Sequence, residues 1–207
     1  MTTAVEICNL ALGHLGQDAN VSSIDPPEFS FEGELCARFY PLARDVVLES
    51  ADWTFAIRTV DGAPVPCDNP AWSYAYALPD DCLRLVRLRA PGFMVSATQP
   101  QEDHAEAYSI ELGTGAVPRV YAHAAQAVLR YVSRVADAIA FPPLFVQALT
   151  WKLAAMLAGP IYKGDVGRDE AKRCEQMLAL YIGRAVSSDV GQGTVRWRRD
   201  PPWVTGR

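Results

Sequence analysis

Carboxylate pairs are the residues of this chain whose spacing could do chemistry. Asp80-Asp81, or Glu32 together with Glu34, could act as acid and base in glycoside hydrolysis, which needs two carboxyl groups held roughly 5 to 10 Å apart in a cleft. Turn and helix-surface roles explain the same residues more simply. Glu102-Asp103-His104 offers three metal-ligand side-chain types, but a solvated polar loop accounts for it better. A glycan hydrolase is therefore kept only as an alternative.

Known catalytic motifs are missing from the sequence. None of the three histidines has paired metal-ligand spacing, and there is no nucleophile elbow, P-loop or dinucleotide fingerprint. The five cysteines are scattered without a CxxC pair, as expected of free, mostly buried thiols in a reducing cytoplasm. No signal peptide is visible, and the apolar stretch 144–158 is short for a membrane span. We expect no enzyme, no cofactor, no metal site and no membrane contact.

The segment 188–207 differs in composition from the rest of the chain. It carries two tryptophans and four arginines against two aspartates, which leaves residues 1–187 with a net charge of −7 out of the total of −5. Arginine and tryptophan are enriched at interface hot spots, and Pro-Pro favours an extended arm. Docking onto another subunit is the preferred interpretation, before disorder and nucleic-acid contact. The candidate protein-interface residues are Arg196, Trp197, Arg198, Arg199 and Trp203.

Helical periodicity appears at both ends of the chain. Thr3 with Glu6 has capping-box spacing for a helix that ends near Gly16. Ser30 can cap a second helix to about residue 50, with a kink or restart at Pro41; its predicted core stripe is Leu35, Phe39, Leu42 and Val46. Pro142-Pro143 opens a buried central helix over 144–158, which Gly159-Pro160 stops. A glycine-rich link then leads to a last helix over about 168–187.

The middle of the chain alternates with the period of strands. Trp72, Tyr74 and Tyr76 would share one buried face, and Leu78-Pro79 would end that strand. With residues 83–89 it would form a hairpin-like core element. Further strands are predicted over 106–112, 119–122 and 126–135, while 61–71 and 96–105 are expected to be loops. The predicted fold is α+β: a helical bundle (1–52 and 136–187), an inserted small antiparallel β subdomain (53–135) and an extended C-terminal arm (188–207).

Several segments together resemble one protein family. Trp72-Ser-Tyr-Ala-Tyr-Ala-Leu-Pro-Asp-Asp-Cys-Leu is similar to the W-x-Y-A-Y-x-L-P-x-D-C-L signature of the tail tubular protein A family, the head-to-tail adaptors of short-tailed, T7-like bacteriophages. Four other motifs follow the family's order over roughly residues 5–187. They are Asn9-Leu-Ala-Leu with Leu15-Gly16, Arg44-Asp45, Trp53-Thr-Phe-Ala, and the pattern of Phe141, Phe145, Ala148-Leu149, Leu153-Ala154 and Leu157-Ala158. Residues 90–125 fit more loosely, and the arm matches nothing in the family.

The resemblance implies a structural virion protein in the neck of the particle, made in the cytoplasm of a bacterial host. It implies a ring homo-oligomer, a dodecamer, between the portal protein and a tail nozzle protein of the tail tubular protein B type, and it allows contact with tail fibres. DNA would pass through the channel during ejection without sequence-specific binding. A head-completion adaptor of a long-tailed phage is the nearest alternative, and a glycan hydrolase carried on the virion is the alternative from another class.

Overall fold

Helices occupy the two ends of the chain and strands its middle. The computed structural model describes residues 2–18, 20–90 and 106–191. The helices are α1 (Ala4–His14), α2 (Phe31–Glu49), α3 (Pro143–Tyr162) and α4 (Gly164–Val190), with a short 3-10 helix at Ala138–Ala140. The strands are β1 (Ile57–Asp61), β2 (Pro64–Val65), β3 (Tyr74–Ala77), β4 (Cys82–Arg89), β5 (Tyr108–Leu112), β6 (Pro118–Ala122) and β7 (Val128–Ser133). The predicted α+β class is confirmed.

The described residues form two compact units. A helical unit comprises residues 2–56 and 133–191, and a β unit comprises residues 57–90 and 106–132. The sequence predicts the corresponding unit boundaries at 52/53 and 135/136, which lie within four residues of those in the structure. α4 runs to Val190, so it includes the first three residues of the predicted arm. Residues 192–207 of the arm lie outside the described residues, as does the predicted loop at 96–105.

Local capping signals produce the predicted starts of α1 and α2. The Thr3 hydroxyl accepts a hydrogen bond from the Glu6 amide (3.1 Å), and the Thr3 amide donates to the Glu6 carboxylate (2.8 Å). This reciprocal capping box satisfies two amides that a helix start otherwise leaves unpaired. At the start of α2, the Ser30 hydroxyl accepts from the Gly33 amide at 3.0 Å. Both predicted caps are confirmed.

α2 buries a different face from the one predicted. Its buried residues include Cys36, Tyr40, Ala43 and Val47, and the helix packs against α3. Of the predicted stripe only Leu35 is buried; Phe39 is half-buried, and Leu42 and Val46 are exposed. Both sets of residues recur at helical spacing, so periodicity does not decide between them.

The proline in α2 does not divide the helix as predicted. α2 continues through Pro41 as one helix of 19 residues. A proline costs one backbone hydrogen bond and a clash with the preceding turn. In this helix the packing of the buried face against α3 offsets that cost, and the predicted restart is wrong.

The junction of α3 and α4 also differs from the prediction. Pro143 opens α3 as predicted, but the helix passes through Gly159-Pro160 and ends at Tyr162. α4 begins directly at Gly164, so the predicted glycine-rich link is helical. A Cβ atom added to Gly167 would lie 3.0 Å from the Ala158 carbonyl oxygen. Gly167 therefore serves the close approach of two helices rather than a loop.

α3 is the central helix of the helical unit. Eleven of its 20 residues are buried, among them Phe145, Leu149 and Leu153. Within the described ranges, α3 is also the one helix long and apolar enough to cross a membrane, and 61% of that stretch is buried inside the protein. Core helices of soluble proteins meet the same criterion, so the length and hydropathy of α3 are weak evidence for a span.

The β unit contains two antiparallel arrangements of strands. In the described residues one sheet has the order β1-β7-β4 and the other has the order β2-β3-β6-β5. The strands predicted over 106–112, 119–122 and 126–135 correspond to β5, β6 and β7. β1 and β2 are strands that the sequence does not predict. β3 and β4 lie in different sheets, so the predicted hairpin is wrong: the chain crosses from one sheet to the other at Leu78-Pro79.

The core of the β unit includes side chains from both sheets. Tyr76 and Val120 of one sheet cluster with Leu88, Leu129 and Tyr131 of the other, each at most 2% exposed. Of the three aromatic residues predicted to share a buried face, only Tyr76 is buried. Tyr74 is 41% exposed. Trp72 lies before β3, with its ring stacked on His123 at 4.8 Å between centroids.

Candidate protein interface

The outer side of α2 presents large apolar side chains to solvent. Phe31 and Leu42 are each 54% exposed and Val46 is 40% exposed, while Phe29 just before the helix is fully exposed. We call Phe29, Phe31, Leu42 and Val46 the α2 outer face. Phe29 and Phe31 form one exposed apolar site and Leu42 and Val46 a second, and exposed apolar patches mark interaction sites in soluble proteins. The predicted core stripe thus supplies two residues, Leu42 and Val46, to a candidate interface that sequence reasoning missed.

Negative charge surrounds the aromatic end of the α2 outer face. Residues 17–37 contain five carboxylates and no lysine, arginine or histidine. Asp18, Glu28 and Glu32 contribute to the lining of a cavity of about 300 Å³ beside Ser30. Glu34 is exposed in the first turn of α2, where the helix dipole favours negative charge. A partner for this end would carry positive charge next to apolar or aromatic groups.

Glu28 holds the loop before α2 in place. Its carboxylate accepts hydrogen bonds from the Ser22 amide (2.9 Å), the Ser22 hydroxyl and the Ser30 hydroxyl (2.6 Å). The hydroxyl bonds, Ser22 first, lower the pKa of Glu28 to about 2. A carboxylate that stays ionised down to such a pH cannot serve as a general acid near neutrality. The chemistry of Glu28 is that of a structural anchor.

The carboxylates considered for glycoside hydrolysis lie in separate settings. Asp81 accepts hydrogen bonds from Arg58 and from the Tyr131 hydroxyl, both at 2.9 Å, within the β unit. Glu32 and Glu34 lie in the first turn of α2 in the helical unit. Asp81 is thus fixed by two structural partners. Glu102-Asp103-His104 lies outside the described residues.

Asp68 forms a polar cluster in the β unit that the sequence does not indicate. Its carboxylate accepts from the Thr114 amide and hydroxyl and from the Tyr121 hydroxyl, and the Arg119 guanidinium lies 3.0 Å away. These hydrogen bonds, that of the Thr114 hydroxyl above all, hold the pKa of Asp68 well below its usual range. The cluster ties the loop after β2 to the turn between β5 and β6. The one sequence signal for this cluster is that Asp68 lies in a loop that contains Pro and Asn residues.

His14 belongs to a second cluster, in the helical unit. Its ring stacks on Trp151 at 3.7 Å between centroids, and its Nε2 lies 3.2 Å from the Thr150 hydroxyl. Arg173 donates to the His14 carbonyl oxygen at 2.9 Å and lies over the Trp151 ring. Burial, and secondarily the positive charge of Arg173, lowers the pKa of His14. The cluster joins α1, α3 and α4.

The arm residues predicted as an interface, Arg196, Trp197, Arg198, Arg199 and Trp203, lie outside the described residues. The structure does describe the end of the helix that precedes them. Asp189, in the last turn of α4, accepts hydrogen bonds from the Thr54 amide (2.8 Å) and hydroxyl (2.7 Å). The last described residue, Gly191, therefore lies at the end of the helical unit where α2 also finishes.

The exposed apolar side chains of α2 and their acidic surroundings define a candidate surface for binding another protein. Compared with known proteins, the chain matches no family model and no curated protein. Within the described ranges, no group of three or more His, Cys, Asp or Glu side chains could hold a metal ion. All five cysteines are free, and Cys8, Cys36 and Cys174 are buried.

Proposed function

We propose that this chain is a structural virion protein, a head-to-tail adaptor of the tail tubular protein A type. Copies of the chain form a ring, a dodecamer, between the portal protein and the tail nozzle, and the genome passes through that ring during ejection. The protein acts in the neck of the virion after synthesis in the host cytoplasm. Its role is assembly and DNA conduction, without catalysis and without sequence-specific DNA binding.

The observation that carries the proposal is the convergence of the motifs that resemble the family. Trp53 and Phe55 come from one motif, and Phe141 and Phe145 come from another nearly ninety residues later in the chain. The rings of Trp53 and Phe145 meet edge to face at 5.2 Å, and Phe55 lies 5.0 Å from Phe145 and 5.9 Å from Phe141. Such pairs stabilise by roughly 0.5–1.5 kcal/mol each beyond burial. A shared core supports reading the two motifs as one inherited unit.

The Arg44-Asp45 motif has a comparable structural role. Asp45 pairs with Arg44 and also accepts from Arg134 at 2.8 Å. Residue 134 follows β7, so this ion-pair network links the two chain segments that make the helical unit. Ser133 adds to the same link, because its amide and hydroxyl both donate to the Ala56 carbonyl oxygen at 2.8 Å. The motif thus supports the helical unit from which a ring would be built.

The exposed surface of the helical unit also supports a ring. A ring needs heterologous contacts, in which one surface of a subunit meets a different surface of its neighbour. The α2 outer face supplies one apolar surface of this kind, on a unit whose core is already formed by other faces of the same helices.

The test is assembly with the cognate portal protein. Purified full-length chain is mixed with portal protein and examined by mass photometry and negative-stain imaging. We expect a ring of adaptor subunits on the portal. A chain that stays monomeric and ignores the portal contradicts the proposal. Release of sugar from host glycans, abolished by changing Asp81, Glu32 or Glu34, would instead support the hydrolase alternative.

A further inference from the structure

The α2 outer face has two apolar sites at a defined spacing. Fifteen residues separate Phe31 from Val46 on one continuous helix, which at about 1.5 Å per residue places the two sites roughly 22 Å apart. Leu42 lies between them, nearer Val46. A ligand that covers both sites must therefore be extended over this distance or present two separate anchors.

The segment 192–207 of the chain has two anchors at a similar spacing. Trp197 and Trp203 are six residues apart with Pro201-Pro202 between them. In the extended conformation that consecutive prolines favour, about 3.1 Å per residue, six residues cover roughly 19 Å. Tryptophan is also among the residues most enriched at the energetic centres of interfaces.

Charge also matches the segment to the α2 outer face. Residues 192–207 hold four arginines and one aspartate, a net charge of +3. Three of the arginines, Arg196, Arg198 and Arg199, flank Trp197. The aromatic end of the α2 outer face, at Phe29 and Phe31, lies in a stretch with five carboxylates and no basic residue. Arginine pairs well with carboxylates through its planar fork of donors and stacks on aromatic rings.

The segment 192–207 of one molecule reaches the aromatic end of its own α2 with Trp197 only when it is almost fully stretched. The Thr54–Asp189 hydrogen bonds place the end of α4 beside the end of α2. The 19 residues of α2 are roughly 28 Å long, and Phe31 lies at the far end. From Gly191 to Trp197 the chain has six residues, which span at most about 22 Å when fully extended. A second molecule, whose arm does not start at the near end of the same helix, can place Trp197 against Phe31 without such stretching.

We propose that residues 196–203 of one copy of the chain bind the α2 outer face of a second copy. Trp197 lies against Phe31 with the arginines beside Glu32 and Glu34, and Trp203 lies against Leu42 and Val46. This contact joins two different surfaces, which is the type of contact that builds a ring when its rotation closes. The inference rests on the proposed function, since it supplies the contact between neighbours in the adaptor ring.

Photo-cross-linking of the full-length chain tests the contact directly. Phe31 is replaced by p-benzoylphenylalanine, which the exposure of this side chain allows, and Ala179 on the exposed side of α4 carries the same group in a control. Irradiation is expected to give a covalent dimer whose yield rises with concentration, with the cross-link mapped to residues 196–203. A cross-link between position 31 and the arm of the same molecule overturns the proposal, and so does the lack of any cross-link to the arm both at the highest soluble concentration and in rings assembled on the portal.

Charge reversal tests the chemistry of the contact. E32K/E34K and R196E/R198E are each expected to lower the dimer yield about tenfold, equivalent to about 1.4 kcal/mol, and combining all four changes restores it. D165K/D169K changes the net charge equally at two exposed residues of α4 and leaves the yield unchanged. Equal loss in this control, or no rescue in the combined variant, overturns the pairing.

The outcomes separate this inference from the proposed function. Rings on the portal with no cross-link to the arm refute the contact and leave the adaptor role standing. A mapped arm-to-α2 cross-link in a protein that ignores the portal refutes the adaptor role and leaves the contact standing.

Discussion

Replacement of Asp189 is expected to weaken the end of the helical unit where the arm begins. Asp189 is 7% exposed and accepts two hydrogen bonds from Thr54. Hydrogen bonds to a charged acceptor stabilise by about 1.5–3 kcal/mol each, and the lower value applies because Thr54 is exposed. A carboxylate near a helix C-terminus costs roughly 0.5–1 kcal/mol through the helix dipole. The net loss for Asp189→Ala is therefore about 2 kcal/mol.

Urea denaturation followed by far-UV circular dichroism measures this loss, because the helical signal reports mainly on the helical unit. Asp189→Asn keeps one carbonyl oxygen as acceptor and removes the unfavourable charge, so it should lose about half as much as Asp189→Ala. Thr54→Val removes the hydroxyl donor. The destabilisation that it causes should be about 1 kcal/mol smaller in the Asp189→Ala background than in the wild type. If Asp189→Ala stays within about 0.5 kcal/mol of the wild type, the range of ordinary surface changes, the assignment of Asp189 as an anchor is refuted.

Three further changes test particular contacts. Gly167→Ala should destabilise the helical unit by about 1–3 kcal/mol through overpacking against Ala158. The control Gly183→Ala, with open space around it, should stabilise the unit by about 0.5–1 kcal/mol. Equal effects of the two variants in urea denaturation would contradict the contact between α3 and α4. Because the pKa of Asp68 is lowered in the fold, its carboxylate stabilises the β unit above the unfolded pKa near 4, and this stabilisation is lost as pH falls through the folded pKa. Asp68→Asn should reduce the loss of stability at acid pH, and an unchanged pH dependence would contradict its origin in Asp68. The lowered pKa of His14 favours the neutral ring in the fold, so stability should decline as pH falls below about 6.5; His14→Gln should remove that dependence, and its persistence would assign it to another group.

Features set by neighbouring residues are the part of this fold that sequence reasoning predicts well. The capping box of Thr3 and Glu6 and the Ser30 cap depend on residues three apart, so their spacing alone specifies them. The α+β class follows likewise from the change of hydrophobic period along the chain. In each case the information lies within one turn or one strand.

Features set by distant parts of the chain are the part that sequence reasoning misses. β3 and β4 look like a hairpin, yet each pairs with a strand that follows β5 in the chain, β6 and β7 respectively. Gly167 has the composition signal of a loop, and only the approach of α3 explains it as a contact glycine. The partners of Asp68 at 114, 119 and 121 are likewise about fifty residues away.

The α2 outer face includes Leu42 and Val46, which the sequence wrongly assigns to the core, and it is also the surface of the proposed contact. α2 has two apolar stripes, and its packing against α3 uses only one of them. Covering the exposed halves of Phe31, Leu42 and Val46 would stabilise a contact by roughly 2–4 kcal/mol, and partly exposed arginine–carboxylate pairs add at most about 1 kcal/mol each. Bringing two molecules together costs about 4–15 kcal/mol. A single arm on a single α2 is thus a weak contact in free solution. It becomes effective where a portal already holds neighbouring copies side by side, because each arm then binds at a high effective concentration. We therefore expect rings to require the portal, with free protein largely monomeric when dilute.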